Sequence, residues 1–408
     1  MRHAPSIKAG AAGKDRPRGA RRWPYALTAT VFTATAGLVA IGGPAGAVAT
    51  PANSFAQTNL IAGQAGMGAK LVDKHLVNAW GLAAGPTTPI WVSDNNTGFA
   101  SVYGGGVNGS KVTLDLTVPV PGGNPSGQVF NSDSKGFHVG GSKGASALFI
   151  VDTDSTGNTQ SPGEIAAWNG GAKFVVEASP KGGPGGKTPA GAVFKGLAMA
   201  TTPKAGPELF AADVANAKVD VFNSNFSLVK TPSEFRDPRL PKGYAPFGIQ
   251  ELGNKIYVAY GKQNKQKTNV VPGTGLGVVD VYNVNGQLLH HLVSNGSHSP
   301  LNEPWGLAIA PKSFGKFAND LLVGNLGNGW INAFNPTSGK YLGALHTTKG
   351  KTVVIPGLWA IRVGTSAFGG SNSLVFSAGP KAYAQGLVGI LTPKASSGSG
   401  GGGGGWGY

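Results

Sequence analysis

The 408-residue chain contains no cysteine, which excludes disulfides, thiolate metal sites and cysteine nucleophiles together. Charge is also scarce, at 13% of residues, while 67 residues are Gly. That balance fits many short strands joined by tight turns rather than helices. The chain lacks Gly-x-Ser-x-Gly, His-Glu-x-x-His and a phosphate loop. Gly104-Gly105-Gly106 and Gly182-Gly183-Pro184 read as turns, with no following helix to hold a phosphate. The seven His (His3, His75, His138, His290, His291, His298 and His346) show no metal-ligand spacing. His290 and His291 fall in an expected outer strand, where successive side chains point to opposite faces. The pair therefore cannot chelate one ion there, and both read as surface residues.

One long apolar run is present, over 25–41, and it follows a basic leader of Arg2, Lys8, Lys14, Arg16, Arg18, Arg21 and Arg22 with one acid, Asp15. Ala45-Gly46-Ala47 supplies a small-residue cleavage pattern, so 1–47 reads as a signal peptide with the mature chain starting near Val48. The run is nearly long enough to span a membrane, but its Thr residues and the Gly42-Gly43-Pro44 break favour cleavage. Arg21-Arg22 is a weak match to a twin-arginine signal. Without the leader, 27 basic residues face 17 acidic ones, a formal charge of about +10 that favours anionic partners. The Lys residues are scattered without interleaved aromatics, which argues against nucleic-acid binding. Residues 394–408 are a Gly-rich segment of low complexity, expected to be disordered.

Between these ends the sequence repeats. Six times a four-residue strand pattern is followed by a turn and a second one. The second series ends at Tyr103, Trp168, Phe222, Tyr282, Phe334 and Leu391, in steps of 65, 54, 60, 52 and 57 residues. That period, with one antiparallel sheet per unit, predicts an all-β fold: a six-bladed β-propeller of four-stranded blades over 55–393. A third element precedes the pair, as in Asn78-Ala79-Trp80-Gly81-Leu82-Ala83 and Glu303-Pro304-Trp305-Gly306-Leu307-Ala308. It recurs around Phe194-Lys195-Gly196, Phe247-Gly248 and Leu358-Trp359-Ala360; the second blade offers Gln128-Val129-Phe130 in its place. This is the expected innermost strand, its Gly allowing neighbouring backbones to approach where six sheets converge. Outer strands are expected over 112–118, 173–177, 227–231, 287–293 and 341–345. The sixth blade lacks one, and the unpaired segment 55–62 is expected to supply it and close the ring.

Superposed repeats give two candidate sites. Asp94, Asp152, Asp213, Tyr260, Asn325 and Ala378 end the second strands, five polar residues where packing would prefer Val. They read either as caps on the following turns or, with Asp94, Asp213, Asn325 and Glu303 converging on the axis, as ligands for Ca²⁺. The starts of the innermost strands carry Asn78, Trp80, Phe247, Glu303, Trp305 and Trp359. These read as a ligand-binding rim at the channel mouth or as packing between blades. Glu303, the one acid among them, is the candidate general base or metal ligand of an enzyme.

The segments Asn-Ala-Trp-Gly-Leu-Ala with Trp-Val-Ser-Asp-Asn, Gly-Tyr-Ala-Pro-Phe-Gly-Ile-Gln and Leu-Leu-Val-Gly-Asn-Leu-Gly-Asn-Gly resemble an uncharacterised family of exported bacterial propeller proteins, related in blade pattern to NHL repeats. The resemblance implies the propeller and export and brings no substrate. The residues lead to the expectation of a monomeric binding module, secreted or held in the cell envelope, for an extracellular or cell-wall ligand. The alternative is a Ca²⁺-dependent hydrolase or lactonase with its metal on the axis.

Overall fold

The computed structural model describes residues 53–154, 163–231 and 233–394; the leader expected at 1–47 and the tail beyond Lys394 lie outside them. Among these residues helix is limited to two short 3-10 turns, Val107–Gly109 and Gly315–Phe317. No helix among them is long and apolar enough to cross a membrane.

The chain opens with β1 (Phe55–Ala62) and β2 (Leu71–Val72). Blade 1 follows as β3 (Ala79–Ala83), β4 (Ile90–Asp94), β5 (Phe99–Gly105) and β6 (Val112–Pro119). Blade 2 is β7 (Pro125–Phe130), β8 (Phe149–Thr153), β9 (Ile165–Trp168) and β10 (Val175–Ser179), with a short parallel addition, β11 (Gly186–Lys187). Blade 3 is β12 (Phe194–Thr202), β13 (Gly206–Asp213), β14 (Lys218–Asn223) and β15 (Leu228–Val229). Blade 4 is β16 (Tyr244–Glu251), β17 (Lys255–Lys262), β18 (Gly277–Asn283) and β19 (Leu288–Val293). Blade 5 is β20 (Pro304–Ile309), β21 (Leu321–Asn325), β22 (Ile331–Phe334) and β23 (Tyr341–Ala344). Blade 6 is β24 (Leu358–Val363), β25 (Leu374–Ala378) and β26 (Leu387–Pro393), completed by β1.

The molecule is thus a six-bladed propeller of antiparallel four-stranded blades, ordered from the axis outwards as they occur in the chain except in blade 6, where β1 is added outside β26. β1 pairs antiparallel with β26 from Phe55↔Pro393 to Ala62↔Leu387, the closure expected of 55–62. Each innermost strand touches those of both neighbouring blades, β24 meeting β3 to close the ring. Because both sheet faces are covered, inner strands such as β3 and β4 are buried at every residue and show no alternation of exposed and buried positions.

Every innermost strand carries a β-bulge at the same place: between Ala79 and Leu82, Pro125 and Gln128, Phe194 and Leu197, Pro246 and Gly248, Pro304 and Gly306, and Leu358 and Ile361. A bulge re-aims side chains. It also brings the blades close: a Cβ on Gly127 would meet the backbone of Gly196 and Leu197, and one on Gly248 the backbone of Trp305. The register corrects blade 2. Its inner strand opens with Pro125-Ser126-Gly127 directly after Asn124, with Gly127 at the shared glycine position. Its second strand is shifted by one residue from the expected frame: Thr153, rather than Asp152, pairs with the strand start as Asp94 does with Ala79. Asp152 instead turns onto the bulge, accepting from Gly127 N at 2.5 Å and from Ser126 Oγ at 2.7 Å.

Candidate functional site

The bulges place Trp80, Ser126, Lys195, Phe247, Trp305 and Trp359 at equivalent points of the six inner strands. Trp359 packs on Trp80 with ring centroids 3.7 Å apart, on Phe247 at 5.9 Å and edge-on to Trp305 at 6.0 Å. Blades 1 and 5 flank blade 6, but blade 4 does not, so the Trp359–Phe247 contact reaches across the axis. The Trp359 indole N–H donates to Asn78 Oδ1 at 2.9 Å, and that of Trp305 to the Lys195 carbonyl at 2.8 Å. The sequence therefore named residues that do come together: Asn78, Trp80, Phe247, Trp305 and Trp359 form one assembly. None is more than 9% exposed, however, so they pack as a plug instead of presenting a rim. Four large rings pack together at one end of a narrow axis and leave no open apolar wall, with the Trp80 indole N–H buried without a partner.

Lys195 was missed as a functional candidate. It is the one cation at a position that carries Trp or Phe in four other blades, and that contrast was the available signal. Its Nζ is buried, 2.8 Å from Asp154 Oδ2 and 5.1 Å from the centre of the Trp80 ring. Pairing and the aromatic face offset the cost of burying the ammonium.

Glu303 lies beside this plug, near Tyr383, with a left-handed φ of 50°. Asn78, Asn124 and Gly357 take the same conformation at the equivalent points, where Asn and Gly are at ease and Glu is unusual. Burial pushes the Glu303 carboxyl up to about 7. Between about pH 4.5 and 7 the folded chain keeps a proton the unfolded chain has lost, so stability falls as pH rises through that window. The full penalty, on the order of 3 kcal/mol, applies above it. Glu303→Gln is expected to raise the melting temperature by a few degrees at pH 8 and leave it unchanged at pH 4. An equal gain at both values would assign the effect to packing.

The proposed Ca²⁺ ligands are not brought together. Ligand atoms of Asp94, Asp213 and Glu303 do not fall within 4.8 Å of one another. Asp213 caps its own turn, accepting from Val193 N, Asn216 N and the Asn216 amide. Asp94 accepts from Ser101 Oγ at 2.5 Å, and burial, with Asp73 nearby, holds its carboxyl well above the usual range. Asn325 donates to the Pro300 carbonyl at 2.9 Å.

The opposite mouth is open. There the ends of the inner strands from all six blades enclose a funnel-shaped cavity of about 580 Å³. Toward the plug it narrows to a void of about 10 Å³, room for one water at most, so the axis is a blind funnel. Leu82, Val129, Phe130, Met199, Leu307 and Ile309 supply a largely apolar wall. Two donors interrupt it. Arg362 makes one hydrogen bond, to the Ala84 carbonyl at 3.3 Å, and has no carboxylate within ion-pairing distance among the described residues. Burial lowers it to about 10, which leaves it charged at neutral pH. Gln128 Nε2 is buried without a partner, its Oε1 accepting from Ser93 Oγ. The acid in the wall, Glu251, accepts from the Asn254 backbone N–H at 2.6 Å through Oε1.

No known family pattern matches the chain. An uncharacterised protein of Acanthamoeba polyphaga mimivirus is 28% identical over 329 residues, 78% of this chain and 75% of its own length. A second from the same virus is 32% identical over 204 residues, 49% of this chain and 51% of its own. These relatives correct the expected resemblance to an exported bacterial family: they are viral and have no assigned function. Among solved structures, a protein of unknown function from Bacteroides thetaiotaomicron has a TM-score of 0.48 at 11% identity, covering 83% of this chain and 76% of its own. An inactive virginiamycin B lyase from Staphylococcus aureus, solved with quinupristin, has a TM-score of 0.44 at 12% identity, covering 84% and 99%. Neither likeness bears on function.

Proposed function

We propose that the protein is a binding module that takes an amphipathic anion, with an apolar body and a carboxylate-like head, into the axial funnel. The observation that carries this is the Arg362 guanidinium, charged and without a carboxylate partner, in the wall of an apolar cavity of about 580 Å³. That volume is in the range of small-molecule sites, where a few polar groups orient a mainly apolar ligand. A charge-assisted bond from Arg362 would be stronger than a neutral one, and Gln128, in the same cavity wall, carries a second donor without a partner. The formal charge, about +10 without the leader, favours the approach of anions from solution. The leader-like composition of 1–47 supports an exported setting for this binding, secreted or at the cell envelope. This reading keeps the binding role and moves it from the Trp-bearing end to the opposite mouth.

Titration calorimetry with octanoate, decanoate and dodecanoate, each beside the matching alcohol, tests it. The carboxylates are expected to bind more tightly than the alcohols, and Arg362→Met to weaken only the carboxylates, by about tenfold or more. Equal affinity for acid and alcohol, no binding of either, or an unaltered Arg362→Met would refute it.

A further inference from the structure

Away from the axis, on the outer half of blade 4, three side chains from separate segments converge. Asp237 lies in the connection between blades 3 and 4, Asp280 on β18, and His291 opposite it on β19. Asp237 Oδ2 and Asp280 Oδ1 approach His291 Nδ1 to 2.6 and 2.8 Å. One atom of each residue falls within 4.8 Å of the others.

The outer atoms of both carboxylates are fixed by further partners. Asp237 Oδ1 accepts from the Arg239 backbone N–H at 2.8 Å and from its Nε at 3.2 Å. Asp280 Oδ2 accepts from the Tyr282 hydroxyl at 3.3 Å, itself 2.8 Å from the Tyr260 hydroxyl. Each carboxylate is thereby turned so that its other oxygen faces the shared point, which is how surrounding residues orient metal ligands. A second observation concerns supply. Asp280 Oδ1 is buried with no hydrogen-bond donor assigned to it, and its contact is a ring nitrogen that already serves Asp237. Nδ1 can carry one proton, and two carboxylate oxygens converge on it. A single proton on Nδ1 serves one of the two oxygens and leaves the other without a donor of its own.

We infer that Asp237, Asp280 and His291 form a binding site for a divalent transition metal, Zn²⁺ being the best match. One imidazole and two carboxylates are a borderline-soft set that suits Zn²⁺, whereas Ca²⁺ takes oxygen ligands. On binding, Nδ1 gives up its proton and the ring keeps one on Nε2, so that a neutral imidazole and the two carboxylate oxygens are the ligands. The His291 side chain retains 10% of its exposure, so the site lies just beneath the surface. A bound ion would clip the connection between blades 3 and 4 to the outer strands of blade 4.

The test is Zn²⁺ binding by the full chain after stripping with chelator, followed by calorimetry and by melting with and without Zn²⁺. Cobalt(II) absorption reports the ligand set. Wild type is expected to take up a stoichiometric equivalent and melt at higher temperature with it. Asp280→Asn and His291→Gln are expected to weaken uptake by about 100-fold or more and to change the cobalt spectrum. Far-ultraviolet circular dichroism shows that each variant is folded. Failure of stripped wild type to bind Zn²⁺ would overturn the inference, as would undiminished uptake in both folded variants. The wild-type result is decisive even if neither variant folds.

Discussion

A chain that starts at Gly63, without β1, is expected to lose its cooperative unfolding transition and to aggregate, while one starting at Asn53 melts as the full chain does. β1 supplies the outer strand of blade 6 through its ladder with β26. It also reaches blade 5, where Phe55 N donates to the His346 carbonyl at 2.9 Å and the Phe55 ring packs 4.6 Å from that of Phe314. Phe55, Leu60 and Ile61 are essentially fully buried. Each contributes about 2 kcal/mol by apolar burial, together about 6 kcal/mol against a total stability of about 5–15 kcal/mol for an ordinary domain. Their loss also opens an edge along β26, a template for pairing with other chains. Thermal melts and size-exclusion chromatography of the two truncations decide the matter. A Gly63 start that melts within a few degrees of the parent, as a monomer, would show that the ring holds without its clasp.

Trp359→Ala is expected to destabilise the fold by about 3–5 kcal/mol, the range for a large buried aromatic. Trp359 touches Trp80, Phe247, Trp305 and Tyr383 and bonds to Asn78, so its removal leaves a hole where blades 1, 4, 5 and 6 meet. Trp330 provides the control. It is 37% exposed, and Trp330→Ala should cost less than about 1 kcal/mol. Urea titration of the two variants is the measurement. Similar midpoints would mean that the plug fills space without holding the blades together. Wild-type funnel affinity in a folded Trp359→Ala would further separate the plug from the site at the other mouth.

Much of the fold was legible because it rests on repetition. The Trp-Gly dipeptides mark where a bulge and a close backbone approach are both required, as at Gly81 and Gly306, and the unpaired strand formers of 55–62 had one place to go. Blade 2 was misread where that signal lapses. Ser126 replaces the aromatic, and one residue of slip in β8 moves every side chain to the other face. The aromatic residues meet at one end of the axis, and the choice between rim and packing stayed open in the sequence, because a sequence pattern gives direction and says nothing about what fills the space ahead. The funnel was invisible for a different reason: its walls come from six strands spread over the whole chain, and Arg362 is an ordinary Arg until Ala84 and Leu307 are placed beside it. Asp237, Asp280 and His291 are separated by 43 and 11 positions. Alternation along β19 correctly kept His290 and His291 apart and gave no sign that carboxylates waited on one side only.

The antiparallel pairing of β1 with β26 also has a mechanical consequence. Lys394 N donates to the Ser54 carbonyl at 2.8 Å, and Phe55 faces Pro393, so the chain enters and leaves the propeller at the same end of the same two strands. A load applied between the two ends would not shear that ladder, in which case all its hydrogen bonds would resist at once. It would peel the strands apart one bond at a time, starting at Phe55 and Pro393. The clasp that closes the ring is therefore the element that yields first under tension, and the first blade to open is the one that carries Arg362.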